Sequence, residues 1–132
     1  MKSLQEIIED KGMRPSHQRL KVLEYLRDNR THPTVDEIYQ ALKKSLPTIS
    51  KTTIYNTLYT FIEAGLVSEI TVCCQEARYD YVTQQHAHFL CKDCGAVEDI
   101  VDIKYPKIGK EVDGHQVEDM MVYVKGICSK CR

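Results

Sequence analysis

Two Cys-x-x-Cys pairs, Cys91/Cys94 and Cys128/Cys131, sit in the last third of this 132-residue chain. Four thiols in two such doublets are the usual set for a closed, tetrahedral zinc site. Thirty-three residues separate the pairs, so the intervening segment must fold and return before the ligands meet. The competing readings of these thiols are free core cysteines, a disulfide pair and a rubredoxin-type iron. Cys73 and Cys74 fall outside the pattern. Vicinal cysteines rarely pair with each other, so these two read as free thiols in a loop.

The length allows one domain or two small ones. Two halves would each be short of core, which makes a metal staple useful. No apolar run approaches the roughly 20 residues of a membrane span. The first residues, Met1-Lys2-Ser3-Leu4-Gln5-Glu6, lack the apolar stretch of a signal peptide, so the expected location is cytoplasmic. In a reducing compartment Cys-x-x-Cys pairs are more often metal ligands than disulfides. Net charge is only −1, but its distribution is uneven. Between residues 11 and 51 lie nine Lys/Arg and four Asp/Glu; residues 83–132 carry seven basic and eight acidic groups. A basic first segment on a neutral chain fits a phosphate-contacting module joined to something else, or simply a solvated helical surface.

Leu4, Ile7 and Ile8 predict a short amphipathic helix ending near Gly12, and Pro15-Ser16 opens a second with Leu20, Leu23 and Leu26 on one face. Thr34-Val35-Asp36-Glu37 reads as a capping box for a third helix, which buries Val35, Ile38 and Leu42 and stops before Pro47. Ser50 caps a fourth, Lys51 to about Ala64, with Ile54, Leu58, Phe61 and Ile62 inward and Gly65 at its end. Strand-like runs follow at Leu66–Val72 and Ala77–Val82. This order is that of a winged helix-turn-helix, assigned to residues 1–82. Residues 83–85 form a polar hinge, and 86–132 a second domain. That domain should hold strands at His86–Cys91 and Ala96–Ile100, a short helix around Lys104–Glu111, and a strong strand at Val117–Ile127. The last strand is apolar on both faces, as at a dimer interface.

In a helix-turn-helix the second helix enters the major groove by its N-terminal residues, here Lys51, Thr52, Thr53, Tyr55 and Asn56. Lysine reaches phosphate or guanine, asparagine pairs with adenine, and Tyr55 or a threonine methyl meets the thymine methyl. Arg14 and Arg19 add basic contacts. The plainer alternative leaves Tyr55 and Tyr59 as rings capping the core edge.

A second cluster differs chemically from the cysteines. His86 and His88 alternate on a strand, so both imidazoles share a face. Asp80 ends the preceding wing strand and Asp99 lies beyond the cysteine turn, with Glu98 and Asp102 as nearby substitutes. Two imidazoles plus carboxylates suit ferrous iron, manganese or zinc. His32 precedes the third helix; if it reached this cluster, one metal would clamp both domains together.

The stretches Met13-Arg14-Pro15-Ser16-His17-Gln18-Arg19, His32-Pro33-Thr34, Thr53-Ile54-Tyr55-Asn56-Thr57-Leu58, Gly65-Leu66-Val67, His86-Ala87-His88-Phe89-Leu90-Cys91 and Cys94-Gly95 resemble the ferric uptake regulator family over nearly the whole chain. The resemblance implies an α+β homodimer: an N-terminal winged helix-turn-helix followed by a small α/β dimerisation domain with a four-cysteine zinc site. It implies metal-dependent repression at palindromic double-stranded operators. By position, structural Zn2+ falls to Cys91, Cys94, Cys128 and Cys131. A regulatory Fe2+ or Mn2+, with Zn2+ as a third candidate, falls to His32, Asp80, His86, His88 and Asp99. Arg78-Tyr79-Asp80-Tyr81-Val82-Thr83, Lys104-Tyr105-Pro106 and an aspartate at 99 resemble the peroxide-sensing branch. In that branch His32 or His86 would be oxidised by peroxide. The alternative is an iron-uptake, zinc or manganese sensor of the same family. Three departures stand out: Ala87 and Met120 occupy places where some members carry ligands of an additional metal site, and Tyr59 stands where peroxide sensors often have arginine.

Two enzyme readings compete. Two histidines and a carboxylate form the facial triad of non-haem iron oxygenases, and Cys-x-x-Cys serves thiol oxidoreductases. No acid, base or nucleophile set accompanies either. The expectation is a regulator without a small organic substrate or a membrane partner.

Overall fold

The computed structural model describes residues 2–71, 76–82, 87–100, 103–104, 107–118 and 120–132. Two compact units divide the chain, Met1–Thr83 and Gln84–Arg132. The expected hinge, 83–85, lies outside the described residues, as do His86, Asp102, Cys73 and Cys74.

The first unit is built from capped helices. Helix α1 (Leu4–Asp10) starts at Ser3, whose hydroxyl accepts the Glu6 amide. Helix α2 (His17–Asp28) starts at Ser16 in the same way and buries Val22, Leu23 and Leu26. Leu20, expected inward, is only half-buried at the margin of the core. The capping box at Thr34 forms: Glu37 donates its amide to the Thr34 hydroxyl, and its carboxylate accepts the Thr34 amide. Each such side chain satisfies an amide that a helix start leaves without an internal acceptor. Helix α3 (Val35–Leu42) buries Val35, Ile38 and Leu42. Helix α4 (Lys51–Glu63) is capped by Ser50 and buries Ile54, Thr57, Leu58 and Phe61.

Strands β1 (Val67–Ile70) and β2 (Arg78–Tyr81) form an antiparallel wing with Val67 opposite Tyr81 and Ile70 opposite Arg78. The wing packs on α4 through β1 and on α2 through β2. Fourteen buried side chains from all four helices and the wing make one core. Phe61, completely buried, is among its largest members. Each fully buried aliphatic or aromatic side chain contributes about 1.5–3 kcal/mol, so this core is the main favourable term in the unit's folding.

The second unit is poorer. Its described residues form a three-stranded sheet in the order β4-β3-β7, with β3 (Ala87–Cys91) antiparallel to β4 (Val97–Ile100) and parallel to β7 (Tyr123–Gly126). Among described apolar side chains, Ala87, Leu90, Cys91 and Cys128 are its fully buried ones, while Ile103, Ile108, Val112, Val124 and Ile127 remain exposed. The Phe89 ring lies across Gly126, where an added Cβ would meet its Cζ at 3.3 Å.

Two expectations fail here. The predicted helix around Lys104–Glu111 is absent from residues 107–111. Instead β5 (Glu111–Val112) pairs with β6 (His115–Gln116) in a hairpin. Gly109 opposes a helix. Asp113 and Gly114 both take positive φ, 49° and 81°, the backbone of a two-residue hairpin turn. The strand expected over Val117–Ile127 is confined to Tyr123–Gly126.

Candidate metal centres and nucleic-acid interface

Parallel pairing explains how the distant thiols meet. Cys91 lies opposite Gly126, so β3 and β7 run out at the same end of the sheet, each into its own cysteine turn. The Lys92 amide donates to the Gly126 carbonyl at 2.8 Å and ties the two turns together. The four sulfur atoms all lie within 4.8 Å of one another. None of the four cysteines is in a disulfide; Cys91 and Cys128 are buried, Cys94 and Cys131 exposed.

The donor set fits zinc. Cys94 Sγ and Cys128 Sγ are 3.8 Å apart, and a tetrahedron with zinc–sulfur bonds of about 2.3 Å has an edge of about 3.8 Å. The amides of Cys94 and Cys128 donate to Cys91 Sγ at 3.5 and 3.4 Å. These amides hold the Cys91 thiol down to about 6. The Cys128 sulfur, followed by that of Cys94, pushes Cys131 up to about 12. At Cys94 the Ala96 amide lowers the thiol, but the Cys91 sulfur, burial and Cys128 outweigh it, so it too is raised. Four thiolates this close require a cation among them. With all four positions filled by sulfur, such a site is structural.

The remaining candidates fall into one pair per unit. In the first unit, His32 Nε2 lies 4.0 Å from Asp80 Oδ2, with side chains 3% and 1% exposed. The other Asp80 oxygen, Oδ1, accepts from Arg30 Nε at 3.1 Å. His32 takes a left-handed φ of 56°. A non-glycine residue there costs about 1–2 kcal/mol, so neighbours must hold it. Arg78 Nη1 donates to the His32 carbonyl at 3.0 Å and lies 3.7 Å from the Glu37 carboxylate. The Tyr79 amide donates to the Pro33 carbonyl at 3.0 Å. The wing strand that bears Asp80 therefore also grips the His32 loop.

In the second unit, His88 on β3 is directly opposite Asp99 on β4, with Nε2 3.6 Å from Oδ1. The His88 amide donates to the Val122 carbonyl at 3.0 Å. Glu98 pairs with Phe89. It therefore faces the opposite side of the sheet and is not a substitute for Asp99.

The candidate nucleic-acid residues divide as well. Arg14, Arg19, Thr53 and Asn56 line one open cleft of about 460 Å³ between the start of α2 and α4, together with Ser16, Gln18, Thr57 and Thr60. Arg19 Nη1 donates to the Arg14 carbonyl at 2.9 Å, which fixes the loop before α2. Tyr55 and Tyr59 project from α4, 55% and 65% exposed. Lys51 is ion-paired with Asp36 at 2.8 Å and lies 5.6 Å from the Tyr39 ring centre. The Thr53 hydroxyl is 3.0 Å from that of Ser50, within the helix cap.

Residues 10–125 match the model of the ferric uptake regulator family. The chain belongs to the ferric uptake regulator family. It is 37% identical to the peroxide operon regulator of Bacillus subtilis over 137 aligned residues, covering 99% of this chain and 92% of that one. It is 38% identical to a peroxide-responsive repressor of Staphylococcus aureus, over 92% of this chain and 84% of that one. The solved peroxide stress regulator of Campylobacter jejuni superposes with a TM-score of 0.71 at 31% identity, over 98% of this chain and all of that one.

For a ferric uptake regulator family member, two residues at the His32–Asp80 pair escaped the sequence reading: Arg30 and Arg78. Their partners lie 50 and 46 positions away in the chain, and no periodicity or spacing reports such a pairing. The one hint was charge, since both arginines flank residues singled out as ligands.

Proposed function

We propose that the chain is a cytoplasmic, homodimeric, metal-dependent repressor that binds palindromic operator DNA and responds to peroxide. In this reading Cys91, Cys94, Cys128 and Cys131 hold structural zinc. His32 and Asp80 from the winged unit join His86, His88 and Asp99 from the sheet unit around one exchangeable Fe2+ or Mn2+. The observation that carries the reading is that each unit contributes a buried histidine set beside a carboxylate, two donor pairs of like chemistry. The peroxide-regulating names of the relatives support the signal. The exposed apolar side chains of the second unit, Val124 and Ile127 among them, support dimerisation through it.

The chain's own residues account for the switch. Ligation by His32 and Asp80 on one side and His88 and Asp99 on the other favours one arrangement of the winged units. A metal shifts the population only by its differential affinity for that arrangement. Two such units then present α4 to half-sites one or two helical turns apart. Ferrous iron held by these residues would activate peroxide beside the ligand imidazoles, the peroxide being the two-electron oxidant that leaves one oxygen on histidine and one as water. Oxidation of His32 or His86 removes a donor, and the arrangement that fits the operator loses its advantage.

His32→Ala is expected to keep zinc and the dimer while losing metal-stimulated operator binding. Operator affinity equal to that of the parent protein would exclude the clamp. Mass spectrometry of the iron-loaded protein after peroxide should locate one added oxygen atom at His32 or His86. Intact histidines with continued repression would identify a metal-uptake sensor instead.

A further inference from the structure

We propose that Arg30 is a built-in counter-ion for Asp80 that holds down the affinity of this site for divalent metal and keeps one carboxylate oxygen out of coordination. The inference rests on the assignment of an exchangeable metal to His32 and Asp80. The two oxygens of Asp80 are divided. Oδ1 accepts from Arg30 Nε at 3.1 Å, and Oδ2 faces His32 Nε2 at 4.0 Å. Asp80 is 1% exposed at its side chain and Arg30 34%.

A carboxylate this buried needs a compensating charge. In many ligand sets the metal alone supplies it, and the empty site is then destabilised. Here Arg30 supplies it in either state. The metal-free protein therefore keeps Asp80 paired and oriented. A divalent cation on the Oδ2 side must accept a full positive charge across the same carboxylate. That repulsion weakens binding, and the guanidinium occupies a lone pair of Oδ1, the oxygen that bidentate ligation by Asp80 would also need. The result is a site that stays folded when empty and releases its ion readily.

One substitution should thus have two opposite effects. Arg30→Met keeps the aliphatic stem and removes the charge. In the full-length, zinc-loaded protein, with Mn2+ as the probe, its affinity should rise roughly tenfold or more, the scale of removing one neighbouring full charge. Its thermal midpoint without Mn2+ should fall, and saturating Mn2+ should restore it. Arg27→Met is the control: it removes the same charge from the Arg27–Asp28 pair on the same helix end and should leave Mn2+ affinity unchanged.

Mn2+ binding to Arg30→Met no tighter than to the parent protein overturns the proposal. Where Arg30→Met does not fold, Arg30→Gln, which keeps a donor and drops the charge, is held to the same affinity criterion. Asp80→Asn separates the two levels. Weakened Mn2+ binding there, with parental binding in the Arg30 variants, overturns the role of Arg30 alone. Unchanged binding in Asp80→Asn overturns the metal assignment and the role of Arg30 with it.

Discussion

Replacing Arg78 by methionine should weaken regulatory-metal binding without any ligand being touched. Arg78 helps to keep His32 in its left-handed conformation, through the 3.0 Å bond to the His32 carbonyl. Hydrogen bonds from a charged donor contribute about 1.5–3 kcal/mol, and the left-handed backbone costs about 1–2 kcal/mol. The two are of similar size, so losing Arg78 removes a bond that offsets the strained backbone, and the Tyr79–Pro33 bond is left to hold the loop with less support. The arginine's 3.7 Å approach to Glu37 adds little, because that carboxylate is half exposed. Loss of about 2 kcal/mol in the competent conformer lowers apparent metal affinity roughly thirtyfold. The assay is Mn2+ titration of zinc-loaded Arg78→Met, read in parallel by operator binding at fixed salt. Zinc content and circular dichroism establish that the fold persists. Arg78→Lys, which restores a charged donor without the fork, should recover part of the loss. Parental Mn2+ affinity in a folded Arg78→Met protein would refute the reasoning, and His32 would then be held by its own loop.

Two further expectations concern the cysteine centre and the helix face. Because the Cys94 and Cys131 thiols are both raised, Cys131 to about 12, they hold their protons at neutral pH. Zinc loading of the stripped protein should then release at least two protons, measured by calorimetry in buffers of different ionisation enthalpy; release of fewer than one counts against the arrangement. Asp36→Ala frees Lys51 from its ion pair and removes a negative charge beside the start of α4. Operator affinity should rise several-fold at low salt, with a salt slope steeper by about one ion, and weaker binding would mean instead that Asp36 orients Lys51 toward the duplex.

The first unit was legible because its signals are local. Ser16, Thr34 and Ser50 are helix caps whose hydroxyls bond amides three residues on, and such short-range bonds leave a mark in the sequence. The four cysteines were legible for a different reason, since soft ligands in paired turns have few other uses. The hairpin at Glu111–Gln116 was also marked, by Asp113-Gly114, but a helical reading of the preceding lysines obscured it. The left-handed backbone of His32 and the reach of Arg30 and Arg78 were not marked at all. They follow from how the wing folds back on the loop before α3. Lys51 and Thr53 were read as nucleic-acid contacts from position alone; their partners Asp36 and Ser50 become apparent only when α3 and α4 are packed.

The shared direction of β3 and β7 has a mechanical consequence. With zinc in place, tension applied along the chain passes from Cys91 and Cys94 through the ion to Cys128 and Cys131. The covalent path through residues 95–127 is bypassed. A cut in that path leaves the two fragments joined through the ion as well as through the sheet, and stripping the zinc removes the first of these links.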